Sequence, residues 1–144
     1  MAGHRVVIYE SLPKEAADIR CAVFMEEQGF RNEFDETDQS ARHAVLYVDG
    51  RPAATCRFYP GQEPGSWLIG RIAVRKAYRG QHLGASIVRA AEEGILAEGG
   101  STSIVHAQTR VCGFYASMGY VPFGEPDDDE GCPHTWMKKV LKST

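Results

Sequence analysis

Residue types and spacing in this chain offer two kinds of chemistry. One is anion binding on a glycine-bearing turn, and the other is proton transfer by a few tyrosine, histidine and glutamate side chains. The anion site is the stretch Gly70-Arg71-Ile72-Ala73-Val74-Arg75-Lys76-Ala77-Tyr78-Arg79-Gly80-Gln81-His82-Leu83-Gly84-Ala85. It reads as a strand running into a basic loop, a small-residue turn and then a helix. The first amide N–H groups of a helix lack intrahelical acceptors, and the helix dipole adds positive potential there. Gly80 and Gly84 let the backbone approach a bulky anion with no Cβ in the way. Arg75, Lys76 and Arg79 add charge, so the ensemble suits a pyrophosphate. Two other phosphate loops are excluded, since there is no Gly-Lys-[Ser/Thr] and no G-x-G-x-x-G opening the first β-α unit. The plainer alternative is a glycine-bearing helix cap with solvated arginines.

The proton-transfer candidates are scattered. The phenol of Tyr115, with an ordinary pKa of ~10, stays protonated at neutral pH and can donate. Phe114 and Met118 are four apart and are expected to supply the core face of their helix, leaving Tyr115 beside that stripe. Glu26 and Glu27 fall near the end of the first helix, His43 opens a strand and His134 follows a late loop. Each can take a proton directly or through a water. Their ordinary alternatives are surface carboxylates and histidines bonded to loop backbone.

These groups must be positioned by elements that the pattern also predicts. Residues 5–9 are β-branched and aromatic and read as a strand. Ser11, Pro13 and Glu15 mark a helix start, and apolar spacing carries that helix to Gly29. Residues 30–42 read as a polar loop. Strands follow at 43–48 and 52–59, joined by Asp49-Gly50, a hairpin signal. A third strand is expected over 66–74, then a long helix at about 83–98 that stops at Gly99-Gly100. A strand at 103–106, a helix at 110–118 and strands at 120–123 and 135–140 complete the chain. The order β-α-β-β-β-α-β-α-β-β implies an α/β fold of the mixed-sheet (α+β) type, with helices on both faces of a central mixed sheet.

Bulk composition bounds the function. A length of 144 residues is one domain with one core, and 43% apolar with 24% charged residues is the balance of a soluble globular protein. A net charge of −3 argues against nucleic acid as the partner. No apolar run is long enough to cross a bilayer, and the N-terminus is too short and polar for a signal peptide. The four cysteines form no C-x-x-C pair, which favours reduced thiols in a cytoplasmic protein. Cys132 and His134 lack a second ligand pair for zinc, so no metal is expected.

Within the turn, Arg79-Gly80-Gln81-His82-Leu83-Gly84 resembles the R-x-x-G-x-G/A signature of the GNAT superfamily of N-acetyltransferases, with His82 in place of the first glycine. Arg20-Cys21-Ala22-Val23-Phe24-Met25-Glu26-Glu27-Gln28-Gly29 is similar to the R-x-x-V-F-x-x-E-Q-G stretch of the ElaA/YjcF-like branch. So are Asp35 and Asp38 followed by His43, Gly70 to Val74, Ala107-Gln108, Phe114-Tyr115-x-x-x-Gly119-Tyr120 and Glu130-Gly131-Cys132-Pro133-His134. The resemblance spans nearly the whole chain and implies a single GNAT-like domain over residues 1–144.

It further implies acetyl-coenzyme A as co-substrate and a primary amine of a small molecule as acceptor, joined by direct transfer in a ternary complex. Ile72, Ala73 and Val74 would meet the pantetheine arm and carbonyl through their backbone. Arg79, Gly80, Gln81, His82, Leu83, Gly84 and Ala85 would cradle the pyrophosphate. Tyr115 would protonate the coenzyme A sulfur, with Glu26 and His134 as candidate bases. The acidic clusters Glu33, Asp35, Glu36, Asp38 and Glu125, Asp127, Asp128, Asp129, Glu130 flank the expected acceptor cleft and favour a cationic amine, although charge runs are usually solvated. Two other readings stay open: a catalytically silent coenzyme A-binding regulatory module, and an interaction domain docking a basic protein on its acidic loops. A homodimer is also left open.

Overall fold

β-Branched and aromatic runs in the first half of the chain pair as an antiparallel meander. Its strands are β1 (His4–Tyr9), β2 (Arg42–Val48), β3 (Arg51–Pro60) and β4 (Ser66–Val74). The computed structural model describes residues 3–30, 34–129 and 131–141. β2 turns into β3 at Asp49-Gly50 with φ of 51° and 82°, the positive values that a two-residue hairpin needs. Helix α1 (Lys14–Arg20) follows β1 and widens without a break into a π-helix over Cys21–Glu27. The single expected helix therefore has two geometries, both ending by Gly29 at φ 78°. A short helix, α2 (Thr37–Ser40), forms inside the segment expected to be loop.

The second half crosses back over the sheet. Helix α3 (Leu83–Ala97) leads to β5 (Thr102–Gln108), which lies parallel to β4. Helix α4 (Cys112–Ser117), β6 (Val121–Pro122), β7 (Asp127–Asp129) and β8 (Cys132–Val140) follow. The sheet order is β1-β2-β3-β4-β5-β8-β6 with β7 also on β8, and β4–β5 is its one parallel pair. The mixed sheet with helices on both faces agrees with the expected order. Strand β7 was not foreseen, because an Asp-Asp-Asp run has poor strand propensity and forms only by pairing with β8. β6 is shorter than expected because Tyr120 turns into the core, where its hydroxyl meets Ser103 Oγ at 2.7 Å and Glu92 Oε2 at 2.8 Å.

Two apolar layers hold the helices. Ala16, Ile19 and Val23 pack on Val45, Tyr47 and Ala73 on one face. Leu83, Ile87, Val88, Ala91 and Ile95 pack on Ala44, Leu46, Phe58, Ile69 and Val105 on the other. β2 is buried on both faces and so reads as a near-continuous apolar run. No helix among the described residues is long and apolar enough to cross a membrane, and all four cysteines are free.

One polar cluster sits within this frame. Arg20 (1% exposed) donates to Asp38 at 2.8 and 3.1 Å, and Arg57 (4% exposed) donates to Asp38 at 2.9 Å and to Asp35 at 2.6 and 3.2 Å. The Asp35 amide also caps Asp38 Oδ2, and His43 Nε2 meets the Asp38 carbonyl at 3.0 Å. These bonds explain why α2 folds where the sequence suggested loop. Two buried guanidiniums require carboxylates, and the 35–38 turn supplies them.

Burial alone would raise the Asp38 carboxyl, but hydrogen bonds and charge from Arg20 and then Arg57 hold it down at about 2. The folded state therefore binds fewer protons than the unfolded chain as acid is added. This contribution, roughly 2 kcal/mol, is complete above about pH 4 and is lost as pH falls towards 2. Asp38→Asn removes the carboxylate that Arg20 and Arg57 share and is expected to lower stability by about 3 kcal/mol. Thermal melts between pH 7 and 2 should also show a shallower acid limb in the variant. An equal acid limb in both proteins would assign acid unfolding to other carboxylates.

Candidate active site

The central feature is a gap opened between two neighbouring strands. β4 and β5 run in register from Ser66↔Thr102 to Ile69↔Val105, and there their pairing ends. Beyond that point β4 stays with β3 while β5 stays with β8. β4 is bent by a bulge, since the β3 register shifts between Thr55 and Arg57 and Arg71 takes a left-handed φ of 52°. Asp35 fixes the bulge from outside, bonding Arg57 and also Arg71 at 3.4 Å. The parting strands enclose a cavity of about 190 Å³, walled by Gly70, Arg71 and Ile72 on one side and His106, Ala107 and Gln108 on the other. Phe24 of the π-helix and Gln28 just after it, together with Tyr115, His134 and Asp129, close it. Gln108 holds the roof by donating to Gln28 at 2.7 Å, and Arg110 donates to Gln108 at 3.0 Å.

Tyr115 lies at the inner end of this cavity. It is the buried residue of α4 at 7% exposure, and the half-buried Phe114 and Met118 pack against the same core, so Tyr115 belongs to the core face instead of standing beside it. Burial, with the Cys56 and Cys112 thiols nearby, pushes the phenol's pKa well above its ordinary value. Its ring meets Phe114 and Tyr120 edge-on at 4.9 and 5.9 Å. Its hydroxyl has no hydrogen-bond partner among the described residues, in contrast to Tyr120. A protonated phenol with no bonded partner among the described residues thus lines the cavity.

His134 is 6% exposed and also lines the cavity. Its Nδ1 lies 2.8 Å from the Cys132 carbonyl, which can only accept, so Nδ1 carries the proton and Nε2 keeps a lone pair. Glu26 is exposed and is not among the cavity-lining residues, so the structure does not bring it to Tyr115 and His134. His43 is fully buried with its Nε2 on Asp38, and its pKa is lowered chiefly by burial; it belongs to the ion cluster rather than the cavity.

Sequence reasoning missed His106. It lines the cavity, its Nε2 donates to Asp127 Oδ1 at 2.5 Å, and its ring lies 4.6 Å from that of His134. That bond holds the Asp127 carboxyl below the usual range. The alternation of β5 already places His106 on the face of Gln108. The partner depends on β7, which the sequence did not announce.

A second cavity of about 270 Å³ sits at the start of α3, bounded by Val74, Tyr78, Arg79, Gly80, His82, Leu83, Gly84, Ala85 and Phe114. Gly80 has φ +86° and open space where a Cβ would project. No side chain caps the N-terminus of α3, so its first amides remain available to an anion. Gln81 is exposed and outside the lining, and Ala73 is buried against α1, so only its backbone can face the gap. Arg79 is not a free charge here. It donates to both Glu27 oxygens at 2.9 and 2.7 Å and to the Val74 carbonyl at 3.1 Å, and it holds Glu27 below the usual carboxylate range.

In the acidic segment around 35–38, Asp35 and Asp38 are spent on arginines. The later cluster does reach the cavity through Asp129, and through Asp127 on His106. Glu33 and Glu130 lie outside the described residues.

Comparison with known proteins bears on this geometry. The family profile described as "Acetyltransferase (GNAT) domain" matches residues 10–141. The uncharacterized protein YyaT of Bacillus subtilis is 37% identical over 139 residues, covering 88% of each chain. A Lactobacillus plantarum crystal structure, provisionally named an N-acetyltransferase, superposes with a TM-score of 0.89 at 32% identity over 97% of this chain and 99% of its own. The crystal structure of Escherichia coli ElaA gives a TM-score of 0.82 at 24% identity over 96% and 99%.

His82 carries backbone strain that can be measured. It sits at φ 62° and ψ 25° directly before α3, a left-handed conformation that costs a side-chain-bearing residue ~1–2 kcal/mol. His82→Gly should therefore keep or slightly raise the melting temperature, with glycine's greater chain entropy offsetting part of the relief. His82→Val should lower it, because β-branched residues tolerate this region worst. Equal melts for both variants would show that the turn relaxes around any residue.

Proposed function

The chain belongs to the GNAT family of acetyltransferases, and from that premise we propose that it transfers an acetyl group from acetyl-coenzyme A directly onto a primary amine of a small molecule. The residues fit such a co-substrate in two places. The uncapped start of α3, with open space over Gly80, suits the pyrophosphate, and the freed edge of β4 at Gly70 to Ile72 offers backbone groups to the pantetheine arm.

In this reading His134 Nε2 takes the proton from the acceptor ammonium, which has to be neutral to attack because alkylamines have pKa values of ~10. A backbone N–H on the unpaired edge of β4 donates to the carbonyl oxygen as charge develops on it. The amine nitrogen bonds to the carbonyl carbon, the carbon–sulfur bond breaks, and Tyr115 gives its proton to the departing sulfur. The second proton, which the nitrogen loses as the amide forms, restores the phenol. The amide product keeps the acetyl group, and the proton accepted by His134 returns to solvent. His106, bonded to Asp127, orients the histidine pair. The observation that carries the proposal is the unspent Tyr115 hydroxyl at the point where β4 and β5 part.

Because that hydroxyl bonds nothing among the described residues, Tyr115→Phe should leave the melting temperature and coenzyme A affinity nearly unchanged. Its kcat should fall about ten- to a thousandfold in a free-thiol assay with an amine panel. Wild-type turnover in a folded variant would remove the acid role.

His134→Gln should lower kcat/KM about a hundredfold or more at pH 7. Raising the pH towards the acceptor's own pKa should restore much of the loss, since the amine then deprotonates without help. A deficit that stays constant with pH would instead assign His134 to architecture.

A further inference from the structure

The reaction cavity has a neighbour on the same side of the sheet. Side chains alternate along a strand, so Leu68 and Gly70, Ile104 and His106, and His134 and Trp136 share one face. His106 and His134 line the reaction cavity, whereas Leu68, Ile104 and Trp136, with Tyr59 and Phe123, line an adjoining groove of about 620 Å³. Helix α1 covers Val45, Tyr47 and Ala73 on this face and leaves the groove open. A single aromatic step separates the two spaces, with the His106 ring stacked on Trp136 at 4.2 Å and 20°.

We infer that this groove holds the body of the acceptor, an arylalkylamine whose amino group passes the His106–Trp136 step to reach His134. The inference rests on the amine acetylation proposed above and names its substrate class. The groove lies within the ~300–1,000 Å³ range of small-molecule sites. Trp136 and Phe123 are half-buried with centroids 6.4 Å apart. His106 stacks on Trp136 and Lys138 Nζ lies 5.0 Å from the Phe123 centroid, and an aromatic guest can cover the ring surface that stays exposed. Glu63 is the one charged side chain among the lining residues. It disfavours an acceptor that carries a carboxylate, so free amino acids are poorer substrates than the corresponding amines.

The test uses the whole chain and three acceptors: methylamine, 2-phenylethylamine and phenylalanine. Thiol release from acetyl-coenzyme A should give 2-phenylethylamine a kcat/KM about tenfold or more above the other two. Phe123→Ala, with Leu68→Ser as a second variant, should erase that advantage and leave methylamine turnover unchanged in a protein shown folded by its melt. Calorimetry of 2-phenylethylamine against protein saturated with coenzyme A separates this inference from the transfer reading. Binding that Phe123→Ala abolishes, with no amine acetylated, would sustain the groove and overturn the transfer reading. Equal turnover of methylamine and 2-phenylethylamine would overturn the groove and leave transfer standing. A dimer in sedimentation that Phe123→Ala dissociates would make the groove an interface between copies and would likewise overturn it.

Discussion

The arrangement around the cavity depends on a buried exchange of charge between Arg20, Arg57, Asp35 and Asp38. Removing one partner of such a cluster leaves a desolvated charge without compensation, so the cluster acts as a single clamp. Its position matters more than its net stabilisation. Arg57 stands at the register shift of β3, and Asp35 also reaches Arg71, the residue at the top of the bulge. The clamp therefore holds the bend that carries β4 away from β5. Without that bend the two parallel strands would stay zipped and there would be no gap to fill.

The gap places groups from distant parts of the chain around one volume. Tyr115 comes from α4, His106 from β5, His134 from β8 and Phe24 from the π-helix. Their environments differ in a useful way. The phenol is kept neutral by burial and has its donor free, while the His134 tautomer is set by the Cys132 carbonyl so that its other nitrogen can accept. A donor and an acceptor lining one cavity are what proton exchange across a reacting bond needs.

At the other end of β4 the same strand delivers the chain to α3. The turn achieves its close approach with Gly80 and with a histidine held where glycine would be relaxed. Arg79 is drawn sideways by Glu27, which ties the π-helix to the turn and leaves the first amides of α3 without a side-chain cap. The two cavities and the π-helix are thus mechanically linked through residues 27, 79 and 74.

Much of this protein was determined by local sequence. The hairpin at Asp49-Gly50, the stop of α1 and its extension by Gly29, the start of α3 and the apolar stripes of the helices follow from glycine's backbone freedom and from periodicity. Those signals act over a few residues and can be read without a partner. Tertiary structure decided what the polar residues do. Asp35 and Asp38 read as a solvated acidic loop, yet the nearby Arg20 and Arg57 make them a buried clamp. Glu26 and Glu27 are indistinguishable by spacing, but among the described residues Glu27 is the one that finds a partner, 52 residues away on Arg79. His106 becomes a site residue through Asp127 of β7, a strand that exists only because β8 pairs with it. The physical reason is common to all three. A charged or titratable side chain takes its role from the groups folding brings within hydrogen-bond distance, and that information is not local in the chain.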